Sequence, residues 1–517
     1  MIDLVKTVLI YVLTVSMLAT AGLYINERQS AGQSEEISEE KRRIFESGGT
    51  AFSKIKDVSI NPVQITVTAG YDSVTAIYND KLIAEIYGDF IYSIRGIFNR
   101  NSECKRLEKE EGKELWGKCV SSENSIYIKY PGNYIYPVIY MFLDETWDIK
   151  NSADAFSNEL AMVHEFFILE EENVYGVAKD IYGNVSVFRP ESETGNILRS
   201  HINTVNLSAY NNNAGVISCE FLKNEDINTK TAINSNNIKN LKFPEHFHLF
   251  YNYNTYSSVL KFTNPVLDDG GKIDTERNFI KDFFRLCNFN AESSRQYTDK
   301  SGVTFIDGKN NIKFNNNGQI IYSYKPADIN DAGGIPLVKF LGYGSGYYTF
   351  YEKIKASEVF AGSLAGEITG GECNIYFTDI MSNGKGDLTV VFSYYYGGIK
   401  IKVNGCSDGI IVVINEKSIT EVKINSVYVS SSDMVKNRNP ILELSGIDNE
   451  IDNEIARAIQ SYEDTENTED LEEIKKAGKY GFMYDKIQDK FIVNKFELIY
   501  SIDYVNKDSV KAVWEIK

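Results

Sequence analysis

Histidine is scarce in this chain, and several motifs that support chemistry are missing from it. Only four of the 517 residues are histidine, which leaves little room for a metal centre built from several imidazoles. No Cys-x-x-Cys or Cys/His cluster occurs, so neither a zinc site nor thioredoxin-like chemistry is indicated. A Walker A loop and a dinucleotide-binding glycine fingerprint are also missing. We therefore predict neither a cofactor nor a metal ion.

Two short segments resemble nucleophile motifs without meeting their requirements. Ser345 lies in Gly342-Tyr-Gly-Ser-Gly346, but the nucleophile elbow needs a glycine two positions away on both sides of the serine. Ser53 and Lys56 match a Ser-x-x-Lys pattern, yet no Ser-Asp-Asn or Lys-Thr-Gly segment accompanies them. Because no catalytic motif remains, we predict that the protein is not an enzyme, and we assign no catalytic residue.

Positive charge is in deficit along the chain. Lysine and arginine number 54 against 72 acidic residues, which gives a net charge of −18. An acidic surface repels phosphate backbones, so nucleic acid is excluded as a partner. Apolar residues make up 43% and charged residues 24% of the sequence, a balance typical of packed cores rather than of disordered chains.

The longest uncharged run lies at the N-terminus, from Thr7 to Ile25. Its length is about the minimum for a helix that crosses the ~30 Å hydrocarbon core of a membrane. Residues 19–21, Ala-Thr-Ala, also fit a signal-peptidase site after an apolar stretch. We favour an uncleaved anchor over a cleaved signal because the apolar run continues past that site, through residues 23–25. Cleavage remains the alternative.

Some features of the sequence favour a cytoplasmic body for this anchor, and others favour an exported body. Lysine and arginine counts slightly favour a cytoplasmic body, whereas a very short N-terminal tail commonly stays inside while the bulk of the chain is exported. The cysteines favour export, since their number is even and they fall into sequence-local pairs. We predict disulfides among them without fixing the connectivity, nearest neighbours being the simplest pairing. They are Cys104, Cys119, Cys219, Cys287, Cys373 and Cys406.

The expected fold class is α+β and mostly antiparallel β: an N-terminal hydrophobic helix and helical stalk, then several β-rich domains and a C-terminal α+β part. No repeat of fixed period occurs, which argues against solenoids and propellers. Six segments are predicted: a membrane anchor or signal segment (1–25), a helical stalk (26–57), a β-meander domain (58–150), an α+β domain (151–290), a β-rich domain (291–425) and an acidic C-terminal α+β domain (426–517).

Periodicity and turn residues predict individual elements within these segments. Residues 63–96 predict a meander of short strands, and residues 153–168 a helix with a stripe of apolar positions three and four apart. Hairpins are predicted at 176–188, around Tyr182-Gly183-Asn184, and at 387–403, where Gly397-Gly398 suits a primed two-residue turn. Two strands are predicted at 490–502 and 509–516.

Tyrosine is abundant, with 34 residues, and some lie in glycine-rich stretches. A tyrosine on an exposed sheet or loop combines apolar area with a polar tip, so it can stack on a sugar or fill a protein interface. Tyrosines that alternate between core and surface would give the same pattern, and this alternative stays open. The residues that we expect to face a ligand are Tyr343, Tyr347, Tyr348, Tyr394 and Tyr396.

An apolar N-terminal helix that runs into a polar helical stretch (26–57) and then a β-rich, cysteine-containing body resembles a type IV pilin. The size and the extra domains are similar to the large minor pilins at a pilus tip of the type IVb class, in which the mature chain can begin with Met. Val5 stands where most pilins have Glu. The resemblance covers about the first 50 residues and the overall plan. It implies an apolar helix packed among other subunits and distal domains displayed outside the cell.

Together these features predict a non-enzymatic protein of the cell envelope, anchored in the membrane by its N-terminal helix. Its multidomain body would lie in the periplasm or at the cell exterior and act in adhesion or in assembly of an appendage, with other protein subunits and a glycan or cell-surface ligand as partners. The alternative is a cleaved, soluble exported protein that binds glycans or acts on them. A third arrangement, a body facing the cytosol, requires reduced cysteines.

Overall fold

The computed structural model describes residues 60–69, 72–77, 80–98, 102–143, 161–170, 174–190, 214–218, 248–252, 259–268, 270–325, 333–345, 347–369, 373–382, 387–430, 496–502 and 509–516. The predicted anchor, the stalk, Cys219 and the acidic stretch near residues 446–478 lie outside these ranges. Within them the strands form three sheets of seven, fourteen and two strands. The fold is α+β with mostly antiparallel pairing, as the sequence predicts.

Every neighbouring pair in the seven-stranded sheet is antiparallel, and the spatial order is β2-β1-β4-β5-β6-β7-β3. Its strands are β1 (Gln64–Ala69), β2 (Asp72–Ile77), β3 (Glu103–Arg106), β4 (Asn124–Ile135), β5 (Met162–Glu170), β6 (Val174–Lys179) and β7 (Val185–Arg189). The β6–β7 hairpin confirms the turn predicted around Tyr182-Gly183-Asn184, where Gly183 has a φ of +83°.

Helices cover both faces of this sheet. They are α1 (Asp80–Ile97), α2 (Lys109–Val120) and α3 (Tyr136–Leu143). The alternation of a strand separates the two cores: Ile126 and Ile128 of β4 pack with the helices α1 and α3, whereas Tyr127 packs with α2 around Trp116.

Helix α1 corrects the predicted meander, which was expected to continue as strands through residues 81–96. The buried positions Ile83, Ile86, Phe90, Ile94 and Ile97 are three or four residues apart, which is the helical period. Residues 88–89, Gly-Asp, predict a turn between two strands, whereas in the structure both lie on the solvent-exposed face of this helix. A glycine on the exposed face of a helix is tolerated at about 1 kcal/mol.

Strand β5 corrects the predicted helix at 153–168, in the part from residue 162 onward. Val163, Phe166, Phe167 and Ile168 are buried, and consecutive apolar residues fit a strand that is covered on both faces. The same spacing also matches a helical stripe, so the local pattern could not separate the two. Residues 151–160 lie outside the described ranges.

The two-stranded sheet pairs β8 (Ala214–Ser218) with β9 (His248–Asn252). The fourteen-stranded sheet runs in the order β11-β12-β13-β14-β20-β19-β17-β18-β22-β23-β10-β21, with β15 beside β20 and β16 beside β17. Its strands are β10 (Val259–Thr263), β11 (Arg295–Asp299), β12 (Gly302–Asp307), β13 (Asn310–Asn315), β14 (Gln319–Tyr324), β15 (Ile335–Pro336), β16 (Asn374–Ser382), β17 (Leu388–Tyr396), β18 (Ile399–Val403), β19 (Ile410–Ile414), β20 (Ser418–Asn425), β21 (Tyr428–Ser430), β22 (Phe496–Ile502) and β23 (Ser509–Ile516).

The sheet forks at β17. Its N-terminal half pairs with β19 and its C-terminal end with β18, while β16 runs along the other side. The β17–β18 hairpin confirms the turn predicted at Gly397-Gly398, and both glycines have positive φ, +54° and +78°. From β18 the sheet continues by a parallel pairing with β22.

Three helices accompany this sheet: α4 (Asn278–Leu286), α5 (Val338–Leu341) and α6 (Phe350–Thr369). Phe284 of α4 packs against Phe305 of β12, with 5.1 Å between the ring centroids. Buried residues of α6, among them Ile354 and Phe360, belong to the same core. This core is continuous with the α1 and α3 side of the seven-stranded sheet.

The two large sheets meet where β4 crosses β16. The Tyr134 ring stacks on Phe377, with centroids 5.3 Å apart, and the Tyr134 hydroxyl donates a hydrogen bond to the Phe377 carbonyl. Gly132 lies so close to β16 that a Cβ atom there would be 1.9 Å from the Thr378 carbonyl oxygen. Only glycine permits this approach of two backbones.

The predicted segment boundaries do not follow the sheets. Strands β5–β7, from the predicted 151–290 segment, complete the sheet begun in 58–150, and β22 and β23, from 426–517, insert between β18 and β10. Of the helices in the described ranges, none combines the length and the apolar character that a membrane crossing demands.

Candidate functional site: the tyrosine loop

Three of the five tyrosines predicted from sequence to face a ligand, Tyr343, Tyr347 and Tyr348, lie in one loop between α5 and α6, here named the tyrosine loop (described residues 342–345 and 347–349). Helix α5 ends at Gly342, whose φ is +92° and whose N–H donates to the Val338 carbonyl at 2.9 Å. This left-handed residue turns the chain away from the helix axis, as glycine does at many helix C-termini. The direction in which the loop leaves α5 is therefore fixed by Gly342.

Two of its tyrosines face solvent and one is buried. The exposed fractions of Tyr343 and Tyr347 are 46% and 52%, whereas that of Tyr348 is 3%. The rings of Tyr343 and Tyr348 are 6.3 Å apart, tilted by 48°. The loop thus presents two aromatic rings to solvent over a third that joins the core.

Hydrogen bonds within the loop fix its course. The Tyr348 hydroxyl donates to the Tyr343 carbonyl at 3.0 Å and accepts from the Ser345 N–H at 3.3 Å. The Ser345 hydroxyl donates to the Tyr347 carbonyl, and the Tyr347 N–H donates back to that hydroxyl at 3.2 Å. The buried tyrosine therefore serves as an internal support for the exposed ones.

A capping box attaches the loop to α6. The Thr349 N–H donates to Glu352 Oε2 at 2.7 Å, and the Glu352 N–H donates to Thr349 Oγ1 at 3.2 Å, which is the reciprocal arrangement of a helix N-terminus. The other oxygen of Glu352 accepts a hydrogen bond from the Tyr343 hydroxyl. One carboxylate thus caps the helix and orients an exposed ring.

The remaining predicted tyrosines lie elsewhere and do not form a second exposed surface. Tyr394 of β17 is fully buried, and its hydroxyl donates to the Gly409 carbonyl at 3.2 Å within the fork of the sheet. Tyr395 is buried against Tyr376, and Tyr396 is half-buried. The prediction that Tyr348 and Tyr394 face a ligand is therefore corrected, because both rings are used in packing.

No disulfide joins the five cysteines that the structure describes. Cys104 packs on the α1 side of the seven-stranded sheet and Cys119 on the α2 side, so the sheet separates the pair that sequence proximity favours. Burial raises the pKa of the Cys104 thiol to about 11, against the lowering effect of a hydrogen bond with the Ala161 backbone. Burial also raises the pKa of Cys287.

Cys373 is buried in the large core, and Cys406 is exposed at a turn beside β18. The described cysteines thus give no support to the predicted disulfide framework.

A second feature is the exposure of two apolar residues at the turn between β6 and β7, which the sequence does not predict. Ile181 and Tyr182 are 56% and 80% exposed. The buried Asp180 accepts hydrogen bonds from the Tyr182 N–H at 2.8 Å and from the Asn184 N–H at 2.8 Å. The hairpin was predictable from its glycine, but nothing local shows that its apolar residues point outward.

A cavity of about 350 Å³ lies between α2 and the edge of the seven-stranded sheet. Four of its charged residues form two ion pairs, Lys118 with Glu114 at 2.7 Å and Lys105 with Glu111 at 3.9 Å. The other residues that line it are Glu103, Leu107, Leu115, Val187 and Arg189. Because both acidic and basic side chains line the cavity, the lining does not define the charge of a ligand.

Within the described ranges, no three histidine, cysteine or acidic side chains come together as metal ligands. No family model matches the sequence, and comparison with curated proteins and with solved structures likewise finds no similar protein.

Proposed function

We propose that this is a non-enzymatic protein of the cell envelope, anchored by residues 7–25 with its body in the periplasm or at the cell exterior, and that it binds a surface ligand during adhesion or appendage assembly. The observation that carries the proposal is the tyrosine loop. Its exposed rings, Tyr343 and Tyr347, sit on a backbone that hydrogen bonds hold in place. A preorganised aromatic surface loses little conformational entropy on binding.

The ligand class that best suits the loop is a glycan. An exposed tyrosine ring offers a flat apolar face to a sugar ring and keeps its hydroxyl in water. The Glu352 carboxylate, bound to the Tyr343 hydroxyl, and the Ser345 hydroxyl supply polar groups beside the rings. Strongly anionic glycans are disfavoured, because the chain carries a net charge of −18.

The test is glycan-array binding of the full chain in mild detergent, with three variants. Tyr347→Ala should reduce the signal at least tenfold, about 1.4 kcal/mol of binding energy, while Tyr347→Phe keeps the ring and should retain most of it. Tyr182→Ala is the matched control, since Tyr182 is also exposed but lies on the β6–β7 turn. Equal losses for Tyr347→Ala and Tyr182→Ala, or binding unaffected by either, would refute the role of the loop.

The location is tested separately. Protease added to intact cells, or to cells with a permeabilised outer layer, should digest the body. Without protease, the intact protein should be found in the membrane fraction. Protection of the body until the cytoplasm is opened would overturn the envelope location without affecting the glycan result.

The second candidate is a cleaved, soluble exported protein with the same glycan ligand. The Ala-Thr-Ala segment at residues 19–21 favours it. The N-terminal residue of natively produced protein separates the two: a start near Met1 in membranes supports the anchor, and a start at Gly22 in the soluble fraction supports cleavage.

A further inference from the structure

Among the strands that the structure describes, β11 is the outermost of the fourteen-stranded sheet, and none of them pairs with its outer edge. It pairs with β12 on one side and ends the sheet on the other, and all five of its side chains are exposed. The backbone N–H and C=O groups that do not bond β12 point towards this edge and can pair with another strand. Natural edges are often blocked by proline, by a bulge or by charged side chains. Strand β11 has no proline and pairs with β12 without a bulge, and its two charged side chains, Arg295 and Asp299, have opposite signs.

The pairing with β12 shows which side chains share a face. Gln296 and Thr298 lie opposite Phe305 and Val303, which belong to the core that α4 covers. Because side chains alternate along a strand, Arg295, Tyr297 and Asp299 lie on the other face. The Tyr297 side chain there is 52% exposed.

The sequence of β11, Arg-Gln-Tyr-Thr-Asp, is complementary to itself when two copies run antiparallel. With Tyr297 opposite its own copy, Arg295 stands opposite Asp299 on the same face, twice by symmetry. On the other face Gln296 stands opposite Thr298. Opposite charges in directly facing positions stabilise a strand pair, whereas a parallel arrangement would set like charges beside each other.

The turn that follows β11 holds the Asp299 carboxylate in place. Its Oδ1 accepts hydrogen bonds from the Ser301 N–H at 2.7 Å and the Gly302 N–H at 3.1 Å. The hydrogen bonds with Ser301 are the main reason that the pKa of the carboxyl lies below its usual value. The group therefore stays ionised, and the turn fixes its position at the end of the strand.

We propose that the protein self-associates through β11, pairing antiparallel with β11 of a second copy in the register that sets Tyr297 opposite Tyr297. The two fourteen-stranded sheets then continue into each other across a two-fold axis. A C2 interface of this kind is the commonest form of self-association. Five residues on each side bury much less than the ~1,200 Å² of a standard interface, so the association is weak and depends on concentration.

The first test is sedimentation of the full chain in mild detergent over a range of concentrations. Arg295→Glu replaces two attractive pairs by two repulsive ones and should raise the dissociation constant at least tenfold. Lys109→Glu is the control, because it makes the same charge change on an exposed residue of α2, beside the other sheet. A monomer at all concentrations, or a dimer equally sensitive to both changes, would overturn the proposal.

The second test reads the register and uses a Cys406→Ser background, since that cysteine is exposed. Under mild oxidation Tyr297→Cys should cross-link with itself, because directly opposite Cβ atoms are ~5 Å apart. Gln296→Cys and Thr298→Cys should each cross-link poorly alone and well when the two are mixed. Equal cross-linking at all three positions indicates random collision, and no cross-linking at any of them excludes the strand pair; either result overturns the proposal.

Discussion

Removal of one partner of a buried ion pair is a sensitive test of the seven-stranded sheet. Glu165 of β5 and Lys179 of β6 are directly opposite each other, with 2.8 Å between Oε2 and Nζ. Their side chains are only 15% and 10% exposed, and the Lys179 ammonium lies 4.4 Å from the centre of the Trp116 ring. Burial lowers the pKa of Lys179, while Glu165 acts to raise it.

We expect Glu165→Gln to destabilise the fold by about 3–5 kcal/mol, because it leaves an ammonium buried without its nearest counter-charge. Lys179→Met should have a similar effect through the carboxylate that remains. The double variant buries neither charge. Tyr127 forms a hydrogen bond with Glu165, and the Gln amide oxygen can still accept that bond. It should therefore lie within about 1 kcal/mol of the parent.

The assay is urea unfolding followed by the fluorescence of Trp116, in a background where the other two tryptophans, Trp147 and Trp514, are replaced by Phe. The deficit of Glu165→Gln should shrink as pH rises towards the ordinary lysine pKa of ~10.4, because without Glu165 the folded state holds the Lys179 proton less strongly than the folded parent does. A loss below about 1 kcal/mol, or a double variant as unstable as the sum of the single ones, would refute the coupling.

Two further predictions concern the region where the sheets meet. Burial raises the pKa of Tyr87 to about 12, and it raises those of Tyr130 and Tyr134 well above their usual value. Stability is thus complete below the unfolded pKa of ~10 and should fall above it by ~1.4 kcal/mol per pH unit for each tyrosine. Urea unfolding from about pH 9 to about pH 12 measures this loss, and a free energy of unfolding that does not fall above pH ~10 would contradict it. Gly132→Ala should lower the free energy of unfolding in urea by about 3 kcal/mol or more, because its Cβ would meet the Thr378 carbonyl. Gly117→Ala, on the open surface of a helix, is the control and should be neutral or stabilising. Equal effects would show that the approach of the two backbones is not required.

Local signals in the sequence were sufficient where a single residue type decides the backbone. Gly397-Gly398 and Gly183 adopt positive φ, which other residues rarely do, so both hairpins were predictable from a few letters. The capping box of α6 was equally visible as Thr349 followed three residues later by Glu352, although the sequence reasoning did not use it. Its second partner, the Tyr343 hydroxyl, required the folded loop.

Segments rich in apolar residues were not decided locally. Strand β5 and helix α1 both contain apolar residues three and four apart, and the sequence alone assigned each to the wrong element. What separates them is burial: β5 is covered by α2 on one face and by α1 and α3 on the other, whereas α1 buries one stripe. That information comes from elements far away in the chain.

Sheet order is non-local for the same reason. Strands β22 and β23 were predicted as strands but assigned to a separate C-terminal unit, and they lie in the interior of the large sheet. The Glu165–Lys179 pair is another case, since neither residue is unusual in sequence and their contact exists only through the strand pairing.

The tyrosines show most directly why composition cannot identify a binding surface. Tyr347 and Tyr348 are adjacent in sequence, yet one is 52% and the other 3% exposed. The exposed one depends on the buried one, because the Tyr348 hydroxyl bonds both the Tyr343 carbonyl and the Ser345 N–H. A substitution at Tyr348 would therefore disturb the loop without touching a ligand, so loss of binding at that position alone could not show that a tyrosine contacts the glycan. Comparison of Ala with Phe at Tyr347, where the backbone support stays intact, separates contact from support.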